Sequence, residues 1–265
     1  MNPYKLIGIG NRGLLTLILL GIFTISLFSI KWDSNIFHSG GTKSILDMLY
    51  GLITLDMSPS FLGMALQSSW ITLNYAVASI SLAVLIGFPL GILGSGILTP
   101  SRYSKMWTIY FVRCILSVLR SIHELVWAWF FVVAIGLTPI AAILALAIPY
   151  SSILGRIYAD IISDVPNDAL KSLRASGASE VKILFYGRLP HALPDMLSYT
   201  FYRFECGIRS AAILSFIGIR GLGYQIQISL DELLYNQVWT LLIFLILLIT
   251  IVDMWSSSVR KSLAK

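Results

Sequence analysis

The sequence predicts an all-α membrane protein with six transmembrane helices, and three observations predict it. Of its 265 residues, 57% are apolar and only 12% charged. The mean hydropathy is +0.82, whereas soluble domains carry roughly 25% charged residues. Charge-free runs recur at lengths suited to a bilayer, and the basic residues gather between alternate runs. The composition excludes a disordered chain and a water-soluble enzyme. Two cysteines exclude a disulfide scaffold; Cys114 and Cys206 fall in apolar stretches and read as small buried hydrophobes.

The elements follow in order. Residues 14–30 carry no charge over 17 positions, about 25 Å of helix, enough for a first span. A signal peptide is the competing reading, although no small-x-small cleavage site follows at Ile30-Lys31-Trp32-Asp33. In residues 31–60, Ile45, Leu46, Leu49, Leu52 and Ile53 recur at helical spacing and predict an amphipathic piece outside the membrane. Residues 57–101 hold no charge, and a second span fits at about 66–93, loosened by Pro89 and its neighbouring glycines. Residues 125–155 are also charge-free. One straight helix of that length would reach about 46 Å against a hydrocarbon core of about 30 Å. Gly136-Leu-Thr-Pro139 breaks it, which yields a hairpin of spans at 107–135 and 139–162. A polar, basic stretch at 163–192 follows, then a fifth span at 193–217, a Gly-rich loop with Asp231 and Glu232, and a sixth span at 238–255.

Charge sets the orientation. Lys5, Arg12, Arg102, Lys105, Arg156, Lys171, Arg174, Lys182, Arg188, Arg260, Lys261 and Lys265 fall on one side of this topology, against Lys31, Lys43 and Arg220 on the other. The positive-inside rule places both termini in the cytoplasm. The net charge of +6 and pI of about 9.3 follow from that asymmetry and require no nucleic acid.

Several motif matches fail on context. Gly8-x-Gly10-x-x-Gly13 has no preceding strand, and His123-Glu124 lacks the second zinc-binding histidine because Trp127 stands there. There is no GxxxxGK[ST] and no GxSxG, and His38, His123 and His191 lie in three separate regions and form no ligand set. No metal site is expected.

The stretch 163–190 reads as two short helices around a turn. Asp164 and Pro166 suit the first helix start, Gly177 the turn, and Ser179 the second cap, with Leu189-Pro190 ending the unit. Ala175-Ser-Gly-Ala-Ser179, with Leu189-Pro190 twelve residues after Gly177, resembles the EAA loop of binding-protein-dependent ABC importer permeases. Arg120-Ser-Ile-His-Glu-Leu-Val-Trp127, the run from Leu193 to Glu205, and Gly218-Ile-Arg-Gly-Leu-Gly223 are similar to the phosphonate-type branch of that family. Lys171 stands where the family carries an acidic residue, with Asp168 one turn earlier, and His123 where the branch carries proline.

The resemblance implies a type I ABC importer permease fold over residues 61–258. Residues 1–60 would supply the N-terminal span and an extracytoplasmic segment, and 259–265 a cytoplasmic tail. It implies that Asp168, Lys171, Arg174, Ala175, Gly177, Ala178, Leu189 and Pro190 couple the chain to an ATPase, and that Gly218, Gly221 and Gly223 form a gate or touch the binding protein. The implied partners are a second copy, two cytoplasmic ATPases that hold ATP and magnesium, an extracytoplasmic solute-binding protein and the bilayer. This chain itself would carry no cofactor and would sit in a bacterial inner membrane.

Arg120, Glu124, Arg203, Glu205 and Arg209 fall within spans three and five. A charge at a helix centre costs roughly 2.5–3.5 kcal/mol on translocon scales, so these residues should face protein or a water-filled translocation path. Counted from the outer turns, Glu124 and Arg120 lie about 18 and 24 Å deep, Arg209 and Glu205 about 13 and 20 Å. The spacing allows Arg120 to face Glu205 and Glu124 to face Arg209; pairing at i,i+4 within each helix is the alternative. A surplus of arginine suits a phosphonate, phosphite or phosphate. An importer of another small solute, such as an amino acid, and an ion-coupled secondary transporter remain the other readings.

Overall fold

The computed structural model describes residues 9–29, 41–99 and 101–263. Those residues divide into two compact units, 1–47 and 48–265. The first holds α1 (Ile9–Ser29) and most of α2 (Gly41–Gly51). From Gly13 onward α1 presents apolar side chains such as Leu17, Phe23 and Phe28 outward. The expected N-terminal segment before Ile9 and the stretch 30–40 lie outside the described residues.

The second unit contains the last turn of α2 and α3 (Pro59–Ser95), α4 (Arg102–Ser121), α5 (Glu124–Ile135) and α6 (Pro139–Asp164). After the short α7 (Lys171–Ala175) and α8 (Glu180–Ile183) come α9 (Leu189–Leu214), α10 (Leu222–Asp231) and α11 (Tyr235–Leu263). The described residues hold no strand.

Helices α3 and α6 form the centre. Their crossing is built from small residues at four-residue spacing, Gly87 and Gly91 on α3 facing Ser151, Gly155 and Ala159 on α6. A Cβ at Gly87 would lie 2.8 Å from the Ser151 carbonyl oxygen, and one at Gly91 would lie 2.8 Å from the Tyr158 Cβ. The two backbones therefore touch, as membrane helices do where no hydrophobic driving force separates lipid from protein. Ala141, Ala142, Ala145, Leu146 and Leu154 continue the buried face of α6, and α9 completes the core with Phe204, Ile208 and Ala211.

Pro139 stands at the first turn of α6 and Thr138 caps it by accepting from the Ala141 amide, so the predicted hairpin break is present. Three helices, α3, α6 and α11, are long and apolar enough to cross a membrane, and five spans result if each bent pair counts as one. The sixth expected span is not established among the described residues, where α1 contributes only the shorter apolar run Gly13–Ser29.

The expected straight span at 107–135 is corrected. Helices α4 and α5 meet at 83° across Ile122 and His123. Both residues are extended, and the His123 ring nitrogen accepts from the Leu125 amide at 3.3 Å, capping α5. A local side-chain cap here replaces helix continuation. The Trp127 indole donates back across the break to the Leu119 carbonyl. Residues 259–263, expected as a tail, continue α11. Cys114 is exposed and Cys206 half-buried, so the reading of both as buried is also corrected.

Gly87→Val should force the α3–α6 crossing apart and cost at least about 1–3 kcal/mol of stability. Gly63→Ala, where a Cβ meets nothing within 4 Å, should be neutral or slightly stabilising. Thermal unfolding of the detergent-solubilised protein separates the two.

Candidate functional site

The polar features of the second unit fall into three groups: the elbow at 163–190, the charges on the helices, and the glycine loop after α9.

The elbow is anchored from inside. Leu170, Ile183 and Leu184 are fully buried, and Gly187 lies so close to Leu170 and Leu173 that a Cβ there would meet their methyls at 2.7 and 2.9 Å. Gly177 adopts φ +76°, the left-handed turn expected of it, with open space around it. Ser179 accepts from the Lys182 amide and caps α8. Two sequence expectations are corrected. Asp164 is the last residue of α6 and caps nothing; a 3₁₀ turn, Asn167–Leu170, follows Pro166 instead. Leu189-Pro190 ends no helix either. A π turn, Leu184–Arg188, carries the chain from α8 directly into α9, where Pro190 takes a first-turn position that needs no amide.

Arg188 is the elbow's hidden staple. Its Nη1 donates to the Ile162 carbonyl at 3.0 Å, satisfying an orphan acceptor in the last turn of α6. Burial, and then the nearby Arg174, lower its pKa from the ordinary arginine value. Of the residues expected to couple, Asp168, Lys171, Arg174, Ala175, Gly177 and Pro190 are exposed. Ala178 and Leu189 are half-buried against the core and hold the elbow in shape. Asp168 pairs with Lys171 on the surface, and Arg174 lies 3.9 Å from Glu180. Sequence reasoning missed three exposed apolar side chains on the same elbow, Val181, Phe185 and Tyr186.

The helix charges do not form the expected belt. Glu205, 6% exposed, pairs with Arg260 of α11 at 2.8 Å, not with Arg120. Glu124 accepts from the Ser210 hydroxyl at 2.7 Å, one residue beyond Arg209, and Ser210 accepts from Tyr150 at 3.0 Å, so a hydroxyl chain ties α5, α9 and α6. Intrahelical pairing of Arg120 with Glu124 is absent as well. Arg113 and Arg156 both close on Asp160, at 2.9 and 3.1 Å. Sequence reasoning missed the Arg113–Asp160 and Glu205–Arg260 pairs because the partners lie far apart along the chain, and it overlooked the i,i+4 pair Arg156–Asp160 within α6.

What remains is a set of arginines with no carboxylate partner among the described residues: Arg120, Arg203 and Arg209. Arg203 donates to the Tyr199 hydroxyl at 2.9 and 3.1 Å and sits over the rings of Tyr199 and Tyr202. Arg120 and Arg203 share a cavity of about 460 Å³ with Ser117, Ser121 and Tyr199, between α4, α6 and α9.

In the glycine loop, Gly218 has φ +107° and closes the turn after α9. Gly221 and Gly223 are buried: a Cβ at Gly223 would lie 2.0 Å from the Ala212 carbonyl oxygen, and the Leu222 amide donates to Thr72 at 2.9 Å. These glycines let α10 fold back onto α9 and α3.

A packed helical domain with a bent α4–α5 segment and an elbow that exposes apolar and charged side chains fits a membrane permease subunit. The chain belongs to the family of binding-protein-dependent transport system inner membrane components, whose model matches residues 14–265. The family is one of transport subunits and not of enzymes; ATP is hydrolysed on a separate chain. The chain is 27% identical over 226 residues to the phosphite transport system permease protein PtxC of Stutzerimonas stutzeri, which covers 82% of this chain and 80% of that one. It is 27% identical over 216 residues to the phosphate-import permease protein PhnE of Mycolicibacterium smegmatis, covering 80% of this chain and 40% of the relative. A chain of the MetNI methionine ABC transporter, in an inward-facing conformation, superposes with a TM-score of 0.68 at 21% identity, covering 79% of this chain and 100% of that one.

Removing Arg260 should leave Glu205 buried and unpaired. Arg260→Met is expected to cost up to about 3 kcal/mol, and the double variant Glu205→Gln with Arg260→Met should recover most of it. A double-mutant cycle on thermal unfolding measures the coupling.

Proposed function

We propose that the chain forms, as a homodimer, the translocation path of an ATP-driven importer of phosphorus oxyanions such as phosphonate, phosphite or phosphate. A binding protein delivers the anion outside, two ATPases dock on the elbow inside, and both termini lie in the cytoplasm. The observation that carries the reading is the Arg120–Arg203 cavity. Other helix arginines, Arg113, Arg156 and Arg260, each meet a carboxylate, whereas these two share one cavity and meet none among the described residues. Arg120 is exposed and Arg203 half-buried, so a water-filled path reaches both, and guanidinium suits a tetrahedral oxyanion by paired hydrogen bonds. The relatives named for phosphite and phosphate transport point the same way. Arg209 would belong to the same path, and Glu124 and Glu205 would hold its walls through Ser210 and Arg260.

Coupling follows from the elbow. Exposed Ala175, Gly177 and Pro190 leave room for a partner's surface, and Val181, Phe185 and Tyr186 offer it apolar contacts. Asp168, Lys171 and Arg174 surround them with charge. A push on this elbow passes through the π turn straight into α9, which carries Arg203 and Arg209. The loop at Gly218, Gly221 and Gly223 packs tightly at the opposite end of α9, where a gate would stand.

Reconstitution with the ATPase and binding protein tests the reading. Arg203→Gln should lower ATP-dependent uptake of methylphosphonate, phosphite and phosphate by about tenfold or more, from the loss of a charged hydrogen-bond pair. Equal uptake by that variant, or uptake that runs without ATP and collapses with an ionophore, overturns it. Gly177→Asp meets open space and strains only the local left-handed turn, so the protein should still insert, while ATP hydrolysis continues without uptake.

A further inference from the structure

A second arginine-bearing cavity, of about 340 Å³, lies at the other end of α9 from the elbow. It is lined by Gln67 and Ser68 of α3, by Arg220 and Gly221 of the glycine loop, and by Tyr224 and Gln225 of α10. Its only charged lining residue is Arg220, a pure donor; both glutamine amides, the serine hydroxyl and the phenol can also donate, Met64 and Ile71 supply apolar wall, and no carboxylate lines the cavity. Gln67 and Arg220 are exposed and Tyr224 and Gln225 half-buried, and none of these side chains has a hydrogen-bond partner among the described residues, so all remain available to a ligand. Ser68, only 5% exposed, finds nothing better than the Met64 sulfur at 3.9 Å. A buried hydroxyl held by so weak an acceptor is a group that gains from a ligand.

The fold supports this cavity from behind. The Leu222 amide is taken by Thr72, and Gly221 and Gly223 press α10 against α3 and α9. The first turn of α10 therefore stands at the cavity wall on a fixed backbone, and its partial positive charge adds to that of Arg220. From Arg203 to the end of α9 at Leu214 the helix rises about 16 Å, so this cavity and the Arg120–Arg203 cavity are separate stations.

We infer that Gln67, Ser68, Arg220, Tyr224 and Gln225 form an anion-receiving subsite, which holds a tetrahedral oxyanion between its release from the binding protein and its passage to Arg120 and Arg203. One guanidinium among neutral donors suits a singly or doubly charged phosphorus oxyanion: the amides and hydroxyls hydrogen-bond its oxygens, and the single charge keeps the hold weak enough for release. The assignment rests on the oxyanion reading of the translocation path.

The test uses the whole permease–ATPase complex in lipid nanodiscs without binding protein, with inorganic phosphate as probe and ³¹P line broadening as readout. Arg220→Gln should weaken phosphate binding about tenfold or more, with Arg220→Lys intermediate and Gln67→Leu reduced severalfold. The same variants, assayed with the binding protein present, should lose uptake in the same order. Phosphate binding by Arg220→Gln as tight as in the natural protein overturns the subsite, whatever uptake does. A natural complex that binds phosphate but transports none of phosphate, phosphite or methylphosphonate overturns the oxyanion reading, and with it the role of this cavity in transport.

Discussion

The close approach of α3 and α6 is the constraint on which the second unit depends. In a bilayer the apolar surfaces of two helices gain little by leaving lipid for each other, so association rests on contact distance and on polar groups. Gly87, Gly91 and Gly155 bring the backbones together, and alanines and serines fill the rest of the seam. Several of the polar arrangements described above hang on this pair. Asp160, one turn beyond Gly155, gathers Arg113 of α4; Tyr150, one turn before it, reaches Ser210 of α9 and through it Glu124. Thr72 of α3 fixes the start of α10. A shift of α6 along α3 would unseat all of these together.

How much of this was legible in the sequence depended on whether the cause was local. Residues of α3, α6 and α11 announced themselves by apolar length, and Pro139, Gly177 and Ser179 by backbone chemistry that acts within a turn. The break at His123 was also local, yet it was missed because histidine is a less familiar helix cap than serine or proline and the flanking runs are apolar on both sides. The π turn at Leu184–Arg188 left no signal, since nothing in the run Leu-Phe-Tyr-Gly-Arg distinguishes it from α-helix; packing of Gly187 against Leu170 and Leu173 explains it. Depth counting put Glu205 and Arg120 on plausible levels but could not know the rotation of α9 about its axis. That rotation turned Glu205 to α11 and Ser210, rather than Arg209, to Glu124.

The two outcomes for arginine divide the labour within one membrane domain. Arg113, Arg156 and Arg260 each meet a carboxylate within 2.8–3.1 Å: Arg113 and Arg156 share the half-buried Asp160, which ties α4 to α6, and Arg260 closes on the buried Glu205, which ties α11 to α9. Arg120, Arg203 and Arg220 line cavities instead, and their surroundings are hydroxyls, amides and aromatic faces. Such neighbours orient a guanidinium without cancelling it. Under the proposed function, unpaired arginines at two levels joined by α9 would give an anion successive places to rest, each too weakly charged to trap it. The elbow attaches to the same helix at its other end through an unbroken backbone turn. Under the proposed function a displacement of the elbow would act on Arg203 through that turn, while the ion pairs on Asp160 and Glu205 hold α4 to α6 and α11 to α9.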